Sequence, residues 1–231
     1  MDKIQLEQHI SKQFDADLEE LKRSMLEMGG LVEKQVTDAL RAMEAGDSAL
    51  AMKVIEKENS VDSLEMSIDE ECILLIARRQ PAASDLRMVM AVFRCVRDLE
   101  RIGDEAKKIA KIAIMLSEEG GSPKGHVELR HIGHNVQQML NRALDAFTRF
   151  DAESALAVMP EDLKVDVDYK SAVRELVTYM MEDPRSISRV MNIMWSLKAV
   201  ERIGDHAKNI CEQVVYMVQG RDIRHSGNDD D

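Results

Sequence analysis

The apolar residues Phe14, Leu18, Leu21, Met25, Met28, Val32, Val36, Ala39 and Met43 recur by threes and fours. That spacing lays them along one face of a long helix. Gly46-Asp47 interrupts the pattern, and Asp47 or Ser48 can cap a second helix running to about Arg79. Gln80-Pro81-Ala82-Ala83 predicts a tight turn, and Ser84 predicts an N-cap for a third helix that reaches about Leu116. The run Glu119-Gly120-Gly121-Ser122-Pro123-Lys124-Gly125 has linker composition.

After that linker the pattern returns. A fourth helix is expected over roughly 126–150, Asp151 restarts the chain as Asp47 did, and a fifth helix runs to about Met181. Glu182-Asp183-Pro184-Arg185 turns, and Ser186 opens a sixth helix. Residues correspond along the copy: Ala39-Leu40 with Ala143-Leu144, Val61-Asp62 with Val165-Asp166, and Glu100–Asp104 with Glu201–Asp205. The expected fold is therefore all-α: two tandem three-helix bundles from one duplicated unit, six long helices related by an internal pseudo-two-fold. The boundaries are 1–119 for the first bundle, 120–125 for the linker, 126–220 for the second bundle and 221–231 for an acidic tail.

Composition agrees with helices. Aromatics are 3% of residues, and the 16 methionines outnumber them, which suits an aliphatic bundle core better than a β-sandwich. The formal net charge of −12 disfavours nucleic-acid binding and favours cations or basic protein surfaces. Cys72, Cys95 and Cys211 have neither zinc-site nor CxxC spacing, and read as reduced thiols of a cytoplasmic protein. Neither a signal-type h-region nor an apolar run of membrane-spanning length is present.

The pentapeptide Glu-Arg-Ile-Gly-Asp occurs at 100–104 and again at 201–205. In a helix it puts Glu100 with Asp104, and Glu201 with Asp205, on one face. Each preceding helix carries its own acidic pair, Glu58/Asp62 and Asp162/Asp166. Glu58 and Asp104 are equidistant from Pro81, as are Asp62 and Glu100; the second-half pairs reflect likewise through Asp183-Pro184. An antiparallel hairpin would bring each set of four to one level, across a gap of roughly 8–10 Å between helix axes. Such repulsive sets need positive charge. One candidate is a ladder of basic side chains, Arg97, Arg101 and Lys107 with Lys198, Arg202 and Lys208 as their copy. The other is a hard divalent metal held by carboxylate oxygens. Gly103 and Gly204 sit inside the pairs, at a helix-interior cost of about 1 kcal/mol, where they would admit either a close helix or an ion.

Weaker signals stand apart. His126, His131 and His134 cluster early in the fourth helix, and Glu128-x-x-His131 is half of a di-iron signature without its second copy. Arg78-Arg79 and Arg87 put positive charge at the first hairpin tip, as solubilising charge or as a docking patch for an acidic partner or phosphate. The chain has no serine-histidine-aspartate, P-loop or dinucleotide pattern.

The doubled Glu-Arg-Ile-Gly-Asp, the paired acidic motifs and the turn Arg78-Arg79-Gln80-Pro81-x-x-Ser84-Asp85-Leu86-Arg87 closely resemble the PhoU family. Met28-Gly29-Gly30 and Tyr179-Met180-Met181-Glu182-Asp183 extend the resemblance over nearly the whole chain. The resemblance implies two three-helix bundles and metal ligation by Glu58, Asp62, Glu100, Asp104, Asp162, Asp166, Glu201 and Asp205. Magnesium, manganese, iron or a similar ion would be the cofactor. It implies no catalysis. It implies instead a regulator that links the ATPase subunit of a phosphate ABC transporter to a sensor histidine kinase when phosphate is plentiful. That regulator would be a homodimer recruited to the inner face of the plasma membrane. Two other readings compete with it: a carboxylate-bridged metal enzyme acting as phosphoester hydrolase or oxidase, and a structural bundle with salt-bridged acidic pairs.

Overall fold

The structure is a computed structural model that describes residues 12–119 and 126–224. The predicted linker and most of the predicted tail lie outside these residues. Among the described residues every regular element is helical: α1 (Lys12–Ala45), α2 (Ser48–Arg79), α3 (Ala83–Glu119), α4 (His126–Arg149), α5 (Ala152–Val158), α6 (Glu161–Glu182) and α7 (Ile187–Gln219). A single 3₁₀ turn, Pro184–Ser186, precedes α7. All nine apolar residues that predicted the first helix face are buried on α1.

The predicted starts hold where a side chain can cap. The Asp47 carboxylate accepts from Leu50 N at 2.9 Å at the start of α2. Asp151 does the same for α5, accepting from Ser154 N at 3.0 Å and Glu153 N at 3.1 Å. Two boundaries differ from expectation. The fifth rod is broken by Pro160, which has no N–H for the helix ladder and crowds the preceding turn, so α5 stops at Val158 and α6 restarts at Glu161. At the first hairpin, Gln80 ends α2 in the left-handed region (φ 48°) and α3 already begins at Ala83. Ser84 therefore sits inside the first turn and caps nothing by its side chain.

The two halves join through helices from each. On α1 an added Cβ at Gly29 would come within 2.9 Å of Leu144, and on α4 one at Gly133 would come within 3.0 Å of Leu40. Gly29 corresponds to Gly133 and Leu40 to Leu144 in the duplication. The contact is thus reciprocal, as across the two-fold axis of a homodimer, but within one chain. α3 and α7 pack antiparallel along the same axis: Arg94 donates to Gln213 (3.3 Å), Asp98 meets His206 (2.8 Å), and Glu105 meets Arg202 (3.0 Å). The buried core is one cluster that runs through both halves, from Phe14 on α1 to Met217 on α7. The cysteines lie in it as free, buried thiols. Burial pushes the Cys72 and Cys211 thiols up to about 12, which leaves them unreactive.

Candidate metal centre

The acidic pairs sit where α2 faces α3 and where α6 faces α7. In the first half Glu58 is buried and pairs with Lys107, one turn beyond Asp104. Glu100 and Asp104 are half-buried, and Asp62 is exposed. Burial raises the pKa of Glu100, and the nearby charges of Asp104, Glu65 and Asp62 raise it further against Arg101. In the second half Asp162 and Glu201 are buried, and Asp166 and Asp205 half-buried. Burial likewise raises Asp205, helped by Glu201, Asp162 and Asp166 and opposed by Lys198. The hairpins thus bring Asp62, Glu100 and Asp104 into one field, and Asp162, Asp166, Glu201 and Asp205 into another. Glu58 instead turns to its lysine.

Cations of the chain itself supply the compensation seen here. Lys208 donates to Asp162 Oδ2 at 3.0 Å, the counterpart of Lys107 with Glu58. Lys198 bridges to Glu201 at 2.5 Å. Of the basic ladder foreseen along α3 and α7, Lys107 and Lys208 therefore work across the hairpin, Lys198 along its own helix and Arg202 across the seam to Glu105. A side chain one helical turn away reaches back to the facing helix, whereas reflection through the turn compares only backbone levels.

The donor set suits a hard cation chemically, being entirely carboxylate oxygen. One atom favours such a guest: Asp162 Oδ1 is buried and has no hydrogen-bond partner. Its neighbourhood includes Gly204, where an added Cβ would stand 3.7 Å from that oxygen. Among the described residues, however, no three His, Cys, Asp or Glu side chains converge tightly enough to form a ready chelate. Gly103 and Gly204 face helix packing. A Cβ at Gly103 would meet Gln35 Oε1 at 3.3 Å and Val61 at 3.5 Å, and one at Gly204 would meet Val136 at 3.5 Å. Gln35 escaped the sequence reading; it is buried, its Oε1 is unpartnered, and only its place on the apolar stripe of α1 could have flagged it.

The weaker candidates disperse. His131 lies 3.6 Å from Asp168 and His134 bonds Gln138 at 2.9 Å, each on its own partner; the His126 side chain lies outside the described residues. At the first hairpin tip Arg79 pairs with Asp17 of α1 at 2.8 Å, while the Arg87 guanidinium lies beside Gly220 at the end of α7. No helix among the described residues is long and apolar enough to cross a membrane.

Comparison with known proteins follows the duplication. The model of the PhoU domain matches twice, over residues 25–113 and 129–214. The phosphate-specific transport system accessory protein PhoU homolog of Pseudomonas aeruginosa is 58% identical over 98% of this chain and 94% of its own length. The phosphate-specific transport system accessory protein PhoU of Escherichia coli is 46% identical over the whole of this chain and 95% of its own. The crystal structure of PhoU from Pseudomonas aeruginosa superposes with a TM-score of 0.88 at 59% identity, covering 90% of this chain and 100% of that one. That of the phosphate transport system regulatory protein PhoU from Streptococcus pneumoniae gives 0.83 at 31% identity, covering 90% and 98%. With both halves matched and the fold shared along the chain, this protein belongs to the PhoU family.

Proposed function

We propose that the chain is a non-enzymatic regulator that acts beside a phosphate transport system and holds phosphate-starvation genes off when phosphate is plentiful. In this reading it links the transporter's ATPase subunit to a sensor histidine kinase at the inner face of the membrane, as a homodimer. The observation that carries the reading is the end-to-end identity with proteins named as accessory to phosphate-specific transport. The acidic sets would be its regulatory cation sites. Glu58, Asp62, Glu100 and Asp104 would hold one ion, and Asp162, Asp166, Glu201 and Asp205 the other, with Lys107 and Lys208 yielding to the incoming charge. The ion would contribute hard positive charge that binds carboxylates tightly. The unpartnered Asp162 Oδ1 supports this assignment.

The test is a strain lacking the gene, grown in abundant phosphate and read by a starvation-responsive reporter. Constitutive expression, reversed by the wild-type gene, supports the regulator; unchanged repression overturns it. Restoration by a variant with Glu100, Asp104, Glu201 and Asp205 all changed to their amides would remove the cations from the mechanism. Elemental analysis of protein purified without chelator tests the same sites directly. A metal-loaded preparation that turned over phosphoesters, and lost that turnover in the amide variant, would replace the regulator with an enzyme.

A further inference from the structure

A second polar feature lies on the seam between the halves, beside the first acidic set, whose Glu100 adjoins Arg101. A cavity of about 310 Å³ opens between α3 and α7. Arg94, Arg97 and Arg101 of α3 line it together with Arg224, just past the end of α7. Four arginines line this groove in a chain whose net charge is −12. Arginines at this spacing on one helix face repel one another, a cost that nearby carboxylates or a bound anion offset.

The negative groups of the cavity are largely committed. Asp98 accepts from Asn209 at 3.0 Å and meets His206 at 2.8 Å. Glu212 is buried, and burial raises its pKa against Lys208 and Arg224. Asp222 pairs with Arg224. Arg94 is positioned by Gln213 at 3.3 Å and by the Tyr216 ring, 5.3 Å from its centroid. Arg97 and Arg101 feel Glu65 of α2, and Arg101 also Glu100, yet among the described residues neither makes an ion pair.

The duplication supplies a control. At the positions corresponding to Arg94, Asp98, Asn209 and Gln213 the other side of the seam has Trp195, Ala199, Lys108 and Ile112. Arg97 and Arg101 keep basic counterparts in Lys198 and Arg202, so the departure from the symmetric frame lies in Arg94 and the partners Asp98, Asn209 and Gln213. Guanidinium forks match the paired oxygens of a phosphoryl group, and several of them together favour an anion of more than one charge. The volume is at the small end of ligand sites, about 300 Å³, which suits a compact anion rather than a nucleotide.

We propose that the α3–α7 cavity binds a compact phosphoryl anion, inorganic phosphate or pyrophosphate, through Arg94, Arg97, Arg101 and Arg224. The site needs no metal. It is tested by calorimetric titration of the purified full chain with phosphate, pyrophosphate and sulfate in chelator, so that failure of the cation sites leaves the result intact. Binding should weaken as salt rises toward ~150 mM. Arg94→Gln and Arg224→Gln should each weaken it by about tenfold or more. Arg224 lies outside the helices, so its variant reports on the site even if Arg94→Gln fails to fold, and Arg149→Gln, far along α4, should bind as wild type. No binding of either phosphoryl anion overturns the proposal. So does undiminished binding by Arg224→Gln, an equal loss in Arg149→Gln, or sulfate bound as tightly as phosphate.

Discussion

The two halves share a frame but not a charge balance. The first half surrounds its acidic pairs with further acids, Glu65 and Asp69 on α2, where the second half has Tyr169 and Val173. The second half instead places Lys198 on Glu201 and Lys208 on Asp162, and the hydrogen bond that Lys208 donates to Asp162 holds the Lys208 pKa up against partial desolvation. Lys107 touches Glu58, yet desolvation and neighbouring Lys111 push its pKa down. Duplication therefore preserved the geometry that crowds carboxylates together, while each copy came to a different degree of neutralisation. The protein's own ammoniums pair two of the four carboxylates in the second set, Glu201 and Asp162, and one, Glu58, in the first.

Removing one lysine from each half breaks this comparison most strongly. Lys208→Met leaves Asp162 buried with both oxygens unpartnered, and should cost about 2–3 kcal/mol in urea unfolding of chelated protein. Lys107→Met should cost less, because the longer Glu58 side chain can turn toward water. A manganese salt should recover part of the Lys208→Met loss if a cation can take the lysine's place, since any ligand of the folded state stabilises it. An equal loss in both variants would mean that the halves are balanced after all.

The turn between the first two helices of each half gives a cleaner backbone comparison. Gly46 (φ 63°) and Phe150 (φ 52°) are corresponding residues in the same left-handed conformation, one without a side chain and one with an aromatic ring. Nothing lies within 4 Å of an added Cβ at Gly46, so Gly46→Ala isolates the backbone cost, expected near 1 kcal/mol by thermal unfolding. Phe150→Gly relieves the same strain but gives up its contact with Phe147 (6.5 Å between centroids) and with the Lys22 ammonium (4.4 Å). Its net change should be smaller than that of Gly46→Ala or opposite in sign. A large loss would show that the ring outweighs the strained turn.

These comparisons also show what the chain made legible. The apolar stripe of α1, the caps at Asp47 and Asp151 and the duplication depend on neighbours close in sequence, and all could be read there. Reflection through each turn found the facing acidic helices because a short loop fixes antiparallel level. It missed which cation reaches which acid, since Lys107 and Lys208 act a full turn from the level they serve. Pro160 was visible but overridden by the apolar pattern running through it. The guanidinium cavity was least accessible, because it forms only where α3 and α7 meet along the seam. That contact joins residues more than a hundred positions apart, such as Arg94 and Gln213.

The smallest expected effect concerns the surplus acids of the first half, and it fixes the sign of the charge balance. Burial raises the pKa of Glu65 and Asp69, and Asp69 raises Glu65 further while Arg97 opposes. A carboxyl with a raised pKa binds more protons folded than unfolded between the ordinary carboxylate value, about 4, and its own folded value. Stability contributed by the protonated form is thus complete below pH ~4 and lost as pH rises through the folded pKa. Glu65→Gln keeps the shape and removes that loss, so it should stabilise the chelated protein at pH 7 by a few tenths of a kcal/mol, roughly the scale of exposed like-charge pairs. The variant should also flatten the fall in stability between pH ~4 and ~7. Asp205→Asn should gain at least as much, because Glu201, Asp162 and Asp166 raise that carboxyl against Lys198 alone. Denaturant midpoints across this pH range decide the comparison. If Glu65→Gln destabilised the protein at pH 7, the first half would already be using that carboxylate, and its apparent excess of negative charge would be neutralised within the fold.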